Sequence, residues 1–362
     1  MTAITSTRNA ALPRWKEIHT VLRDELPGYA YGSTFYSIAD ICRKFEVSKI
    51  TAIRVLDELA SEGVLEKIRG KGNIVRQIAQ AASVRLILSA NARQDHLSLE
   101  PVSRRLFEGL RSVSHQVGLD LDTLSENHLP QLFPREDQSF GFLLFRGVSH
   151  NAKRFLRKHQ LPHVYLDPFE NYKSITCARS DRVRSGYLAT RHLLELGHKR
   201  IAWITGPPNQ RNFRDRLRGY RDAMHEAGLA FRWSMIQTSD GVHPEQDNLA
   251  IDNLLRMRRR PTAIIAGDDN RGIHILSACR RRGIRVPEDL SIVGYPNLPE
   301  SSLTDPPLTV IDPHYEQISE QAVKLLLEQM QLEGGQSTQA VAVEPELILR
   351  SSTGPATRRK HD

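Results

Sequence analysis

Cysteine is scarce in this chain: Cys42, Cys177 and Cys279 are all there is in 362 residues. They lie too far apart in sequence for a disulfide framework or a C-x-x-C metal pair, and read as small buried hydrophobes in a reducing cytosol. Long apolar runs are missing too. None approaches the roughly 18 residues that a membrane-spanning helix needs, and Met1 to Pro13 lacks the basic region and apolar core of a secretory signal. A cytoplasmic protein with no membrane partner is expected. The motifs of catalysis are equally absent. No Walker or dinucleotide glycine loop, H-E-x-x-H or G-x-S-x-G occurs, so neither an enzyme nor a cofactor is expected. His192 and His198, six residues apart around a helix end, read as surface or capping histidines rather than metal ligands.

What is present is ordinary globular composition, 40% hydrophobic and 25% charged, in a chain long enough for two or more folding units. The net charge of +8 favours polyanionic partners. Part of it sits in Arg256, Arg258 to Arg260, Arg280 to Arg282 and Arg285, which read as solvated faces or helix C-terminal charges rather than a DNA groove.

Residues 1–13 read as a flexible N-terminus. In residues 14–76 the pattern is helix, helix, short turn, helix and basic hairpin. Trp15, Ile18, Val21 and Leu22 keep helical spacing before Pro27 and Gly28. Ser37 to Phe45 forms a second helix. Glu46 and Val47 turn the chain, and Ser48 caps a third helix whose buried stripe is Ala52, Val55, Leu56 and Leu59. Gly63 ends it, and two short strands flank Arg69-Gly70-Lys71-Gly72. This is the layout of a winged helix-turn-helix. Its candidate DNA contacts are Ser37, Ser48, Lys49, Thr51 and Arg54 on the helices, with Arg69, Lys71 and Gly72 on the wing. Hydroxyls and cations at a helix start can donate to bases and phosphates, and a glycine-rich tip lets backbone approach DNA closely.

Residues 77–83 are small and polar, a linker. Beyond them apolar strands alternate with amphipathic helices: Val84–Ser89, Leu119–Leu124, Gly141–Phe145, Pro162–Leu166, Ile201–Thr205, Thr262–Ala266 and Leu290–Val293 are the strands. The alternation implies parallel sheets covered by helices, with too many units for one sheet and hence two α/β lobes. Residues 354–362 form a polar, basic tail expected to be disordered.

Two stretches of the chain carry family resemblances. Val47-Ser48-Lys49-x-Thr51, Leu56-x-x-Leu59, Glu62-Gly63-Val64-Leu65 and Arg69-Gly70-Lys71-Gly72 resemble the DNA-binding domain of the GntR family. The family usually has arginines where Ala39 and Ile53 stand, so operator preference is expected to differ from the common pattern. His192-Leu193-x-x-Leu196-Gly197-His198-Lys199-Arg200-Ile201, Arg216-x-x-Gly219-Tyr220, Pro261-Thr262-Ala263-Ile264, Asp268-Asp269 and Gly283-x-x-Val286-Pro287-x-Asp289-Leu290-Ser291 resemble the effector domain of LacI/GalR repressors. That resemblance runs over residues 84–353. It implies a bilobed, periplasmic-binding-protein-like type I domain, usually a homodimer, clamping a small molecule between its lobes.

The fold class expected is therefore α/β, a winged helix-turn-helix joined to two parallel-sheet lobes. The function expected is DNA-binding transcriptional regulation, as a repressor, controlled by a carbohydrate effector. Asp167, Arg216 and Asp269 match effector-contacting positions of the LacI/GalR family; a helix N-cap is the alternative reading of Asp269. Asn91, Arg146 and Tyr295 lie just past predicted strands and complete the effector set, because ligands bind beyond the carboxyl ends of parallel strands. Where the family carries an aspartate pair after Val293-Gly294-Tyr295, this chain has Pro296-Asn297. A ligand-independent regulator and a sugar-binding receptor are the alternatives.

Overall fold

The computed structural model describes residues 13–26, 29, 32–75, 83–88, 101–132, 140–145, 148–169, 174–240, 242–331 and 338–356. The expected linker (residue 83 apart), the first twelve residues, the last six, Asn91 and Arg146 lie outside them. The chain divides into two compact units: Met1–Gln94, Glu108–Val164 and Glu320–Ser337 form one, and Asp95–Phe107, Tyr165–Ser319 and Thr338–Asp362 the other.

The first unit opens with α1 (Arg14–Glu25), α2 (Ile38–Phe45), α3 (Lys49–Ser61) and a hairpin of β1 (Leu65–Ile68) and β2 (Gly72–Val75). Ser37 caps α2 through a reciprocal bond with Asp40, and Ser48 caps α3 by accepting from the Thr51 amide. Between the helices, Glu46 turns the chain in the left-handed region. Ile18 and Leu22 of α1, Ile41 of α2, and Ala52, Val55, Leu56 and Leu59 of α3 are buried together with Val64, Leu65 and Val75. Each of the valines, leucines and isoleucines contributes about 1.5–3 kcal/mol on burial. The hairpin is antiparallel, pairing Leu65 with Val75 and Ile68 with Gly72. Its tip needs glycine, since Gly70 and Gly72 have φ of 82° and 91°. A single bridge from Thr34 to Ile74 adds a third strand position that the sequence did not announce. These are the elements of a winged helix-turn-helix.

The same unit holds β3 (Ser83–Leu88) with β4 (Asp120–Ser125) and β5 (Phe140–Leu144) parallel on either side of it. Helices α4 (Pro101–Gln116) and α5 (His150–Lys158) follow β3 and β5 in the chain. After α5 comes β6 (His163–Leu166).

In the second unit, β7 (Cys177–Ser180) runs parallel to β6, with Tyr165 opposite Cys177, and parallel to β13 (Ala340–Val343) on its other side. The larger sheet has the order β14-β12-β11-β10-β8-β9. Its strands are β8 (Ile201–Thr205), β9 (Ile236–Thr238), β10 (Ala263–Ala266), β11 (Ser291–Gly294), β12 (Thr309–Asp312) and β14 (Glu346–Ile348). All pairs are parallel except β12 with β14. Strands β8, β10, β11 and β12 are buried at every position, as expected of a sheet covered on both faces. The helices of this unit are α6 (Arg182–Glu195), α7 (Arg211–Glu226), α8 (Pro244–Leu255) and α9 (Asp269–Arg281), and α10 is Tyr315–Gln331.

Two glycines let α6 and α7 cross in contact. A Cβ on Gly186 would strike the Arg216 carbonyl, and one on Gly219 would strike the Val183 carbonyl. His198 corrects a sequence expectation. It is buried rather than a surface residue, bonding Thr262 Oγ1 at 2.9 Å, Ser291 Oγ at 3.1 Å and the Gly354 carbonyl at 3.0 Å. Burial lowers its pKa, favouring the neutral ring. Cys177 and Cys279 are buried and Cys42 is half-buried, all three free.

Candidate functional site

Strand order marks a candidate ligand site. From β8 the chain steps outward to β9, then crosses back to β10 on the other side of β8. The carboxyl ends of β8 and β10 therefore flank a topological switch point, where open α/β sheets bind ligands. Two glycines, Gly206 and Gly267, follow these strands. Added Cβ atoms would meet the Phe213 ring and Thr205 Cα respectively, so backbone and side chains are tightly apposed there.

Arg216 occupies this point from the second turn of α7. It is buried, donates from Nη2 to the Gly267 carbonyl at 2.9 Å, and lies 4.2 Å from the centroid of the Tyr295 ring. Among the described residues no carboxylate pairs with it, and its Nε is buried without an acceptor. Burial, aided by neighbouring Arg182, holds its pKa below the ordinary guanidinium value. Thr205 Oγ1, Asn212 Oδ1 and Asp269 Oδ1 are likewise buried without partners. A buried polar group without a partner costs on the order of 1–3 kcal/mol, more when charged. Four such atoms contributed by the strand end, loops and helix starts of one sheet end make it a candidate site for a polar ligand.

The other expected site residues fall into place unequally. Asp167 is buried, with φ of 42°, and its Oδ1 accepts from the Ser180 amide at 3.1 Å, Ser180 Oγ at 3.2 Å and Arg182 Nη2 at 2.6 Å. Its capacity on that oxygen is spent inside the protein. Burial opposes the charge on Arg182, but Asp167 raises its pKa above the ordinary value. Asp269 is fully buried and accepts from the Leu298 amide at 2.5 Å. Burial pushes its pKa up to about 7. The N-cap of α9 is its neighbour Asp268, which accepts from the Arg271 amide. Tyr295 is buried in the apolar cluster beneath Arg216.

Two buried arginines, Arg182 and Arg271, carry no signal that the sequence analysis picked out. Arg271 is buried, bonded to Asp268, and donates to Ser239 Oγ at 2.8 Å and to the Ser239 carbonyl at 2.5 Å. Ser239 in turn bonds Asp247, which also holds His274 Nδ1 at 2.6 Å. Burial lowers the Arg271 pKa to about 10, and Arg216 adds to that. Asn297 explains the altered edge after Tyr295. It donates to Asp312 at 2.5 Å while accepting from Arg350 at 2.7 Å. An aspartate there would set two carboxylates against each other; the amide serves both partners.

In the head, Lys49, Arg54, Arg69 and Lys71 are exposed and Thr51 is partly exposed. Lys49, Arg69 and Lys71 have no ion pair among the described residues, whereas Lys44 is bound to Glu25 and Lys67 to Asp57. The Arg54 guanidinium stacks 4.1 Å from the Trp15 ring centroid. Gly72 sits at the hairpin tip. The hydroxyls of Ser37 and Ser48 are engaged as caps, Ser37 with Asp40 at 2.7 Å and Ser48 with Thr51 at 3.0 Å. Ile50, not anticipated, stands 80% exposed in the first turn of α3.

Comparison with known proteins agrees with this geometry. A family model described as a periplasmic binding protein-like domain matches residues 190–353. The HTH-type transcriptional repressor PurR of Actinobacillus pleuropneumoniae is 38% identical over 179 residues, 48% of this chain and 53% of that protein. PurR of Glaesserella parasuis is 32% identical over 237 residues, 63% of this chain and 68% of that protein. The chain thus spans about half the length of the first relative and 68% of the second. Among solved structures, a LacI family transcriptional regulator from Mycobacterium smegmatis has a TM-score of 0.59 at 26% identity, covering 76% of this chain and all of that one. The transcriptional regulator CelR–cellobiose complex has the same fold, with a TM-score of 0.61 at 24% identity over 85% of this chain and 92% of that one. Strand order, switch-point site and relatives converge: the chain belongs to the LacI family of transcription regulators with a periplasmic-binding-protein-like domain.

Proposed function

We propose that this protein is a transcriptional repressor whose DNA binding is controlled by a small anionic, hydroxyl-bearing effector, a sugar acid or sugar phosphate, at the carboxyl end of the β8–β10 switch point. One observation carries the effector class: Arg216 is buried without a carboxylate partner among the described residues. An uncompensated buried guanidinium is costly, and a ligand carboxylate or phosphate would supply the missing charge through its planar fork. Thr205 and Asn212 are placed to meet hydroxyls, and Tyr295 backs the guanidinium. A carbohydrate-type ligand is in keeping with the cellobiose complex of one neighbour in fold.

The head at 14–76 is taken as GntR-type, reading DNA through Lys49, Thr51 and Arg54 in the major groove and Arg69, Lys71 and Gly72 at the wing, with Ser37 and Ser48 holding the helices in place. A homodimer of the 84–353 domain presents two heads to half-sites roughly 34 Å apart, if they follow one turn of DNA. Effector coupling of about 1–3 kcal/mol then suffices to change operator occupancy several-fold or more. The engagement of Asp167 by Arg182 favours a second reading, in which the protein regulates without a ligand.

Thermal melting against a panel of neutral sugars, sugar acids and sugar phosphates separates the two. An anionic sugar at a hundredfold excess over Kd should add about 2.7 kcal/mol of stability, and Arg216→Ala should abolish that shift. Neutral sugars shifting the melting equally would defeat the anionic assignment, and no shift from any member would leave the ligand-independent reading.

A further inference from the structure

A cavity of about 570 Å³ opens at the opposite, amino end of the same sheet. It lies where Arg200 leads into β8, beneath the end of α7 and beside the turn after α8. Its floor is apolar and soft: Tyr220, Met224, Met235 and Met257. The Tyr220 hydroxyl is engaged with the Ile201 carbonyl at 2.9 Å, so its polar end is already satisfied. The rim is cationic, with Lys199, Arg200, Arg232, Arg258, Arg259 and Arg260, and no aspartate or glutamate lines the cavity. Lys199, Arg232, Arg258 and Arg259 have no ion pair among the described residues. Three of these cations belong to the arginine run that the DNA-reading head leaves unexplained.

We propose that this cavity is a second binding site, for an aromatic anion: a flat apolar body carrying a phosphate or carboxylate. Its volume falls in the range of small-molecule sites. Thioethers contact aromatic faces favourably and adapt their shape to them, while guanidinium groups both stack on rings and fork onto phosphate or carboxylate oxygens. Neither a neutral hydrophobe nor a simple sugar satisfies both halves of the lining. The site is distinct from the Arg216 site, and binding there would act on the same sheet from its far end.

Titration calorimetry on the full-length protein with 1-naphthyl phosphate tests this. Saturable one-to-one binding is expected, with 1-naphthol weaker by about tenfold or more for want of the charged contacts. Met224→Trp, which fills the floor, and the doubly substituted R258E/R259E should each remove binding, while Arg216→Ala leaves it unchanged. The arginine positions are exposed, so the double variant keeps the test sound if Met224→Trp fails to fold. Absence of saturable binding, equal affinity for 1-naphthol, loss of binding in Arg216→Ala alone, or displacement by duplex DNA lacking an operator would each overturn the proposal. The last would mark the rim as a polyanion patch.

Discussion

The head and the switch-point site use the same side-chain chemistry in opposite solvents. On α3 and the wing, Lys49, Arg54, Arg69 and Lys71 stand in water, none of them in an ion pair among the described residues. At the sheet end, Arg182, Arg216 and Arg271 are buried, two held by aspartates and one not. Exposed cations stay cheap to maintain and gain affinity by releasing counterions from DNA, so their contribution falls as salt rises. Buried ones are screened little by salt and depend on a partner of opposite charge. Screening by salt and dependence on a partner therefore separate reader from sensor within one chain.

The sharpest way to break this contrast is Arg182→Ala. It removes the guanidinium from a buried ion pair with Asp167, and the fold should lose about 3–5 kcal/mol in denaturant titration; a loss under 1 kcal/mol would mean that water reaches the pair. Next comes pH. Asp269 has a folded pKa of about 7, above its unfolded value near 3.9. Its contribution to stability is therefore fully present below about pH 4, declines as pH rises towards 7, and is constant above that. Melting temperatures across this window should fall more steeply in the wild type than in Asp269→Asn, and matching slopes would dismiss the carboxyl as the cause. Ser37→Ala should cost about 1 kcal/mol through loss of the α2 cap, with no change in preference among operator sequences measured by competition binding. A changed preference would return Ser37 to the groove. Smallest is Lys71→Ala: the slope of log affinity against log salt should become shallower by about 0.9, one phosphate contact, uniformly across sequences. An unchanged slope would move the wing off the backbone.

Much of the fold was legible in the sequence. Strand β8 falls where the apolar run Ile201–Thr205 places it, and α1 and α3 end within a residue or so of the expected positions, because a buried stripe with a capping serine leaves little choice. The undetected elements are of two kinds. Strands β7, β9, β12, β13 and β14 are three or four residues long and carry too little pattern, Cys177-Ala178-Arg179-Ser180 being typical. Helices α5 and α10 keep helical spacing but were passed over. In the site, Arg216 was legible from its motif and its place after a strand. The Arg182–Asp167 pair was not, since an arginine at a helix start is usually solvated and its partner lies 15 residues back across a loop. Asp268 and Asp269 also could not be told apart by sequence: which of two adjacent aspartates caps and which is buried is decided by the packing of α9 against Leu298.

The crossing of α6 and α7 limits how this sensor can be re-engineered. With Gly186 against the Arg216 carbonyl and Gly219 against that of Val183, the helix that carries the guanidinium is located by main chain, with no adjustable side chain between. A library built to change effector choice at the proposed site should leave both glycines untouched, since any larger residue moves the whole helix and the fork with it. Diversity belongs instead at Asn212 and Phe213, in the first turn of α7, where side chains can be exchanged while the anchor stays fixed.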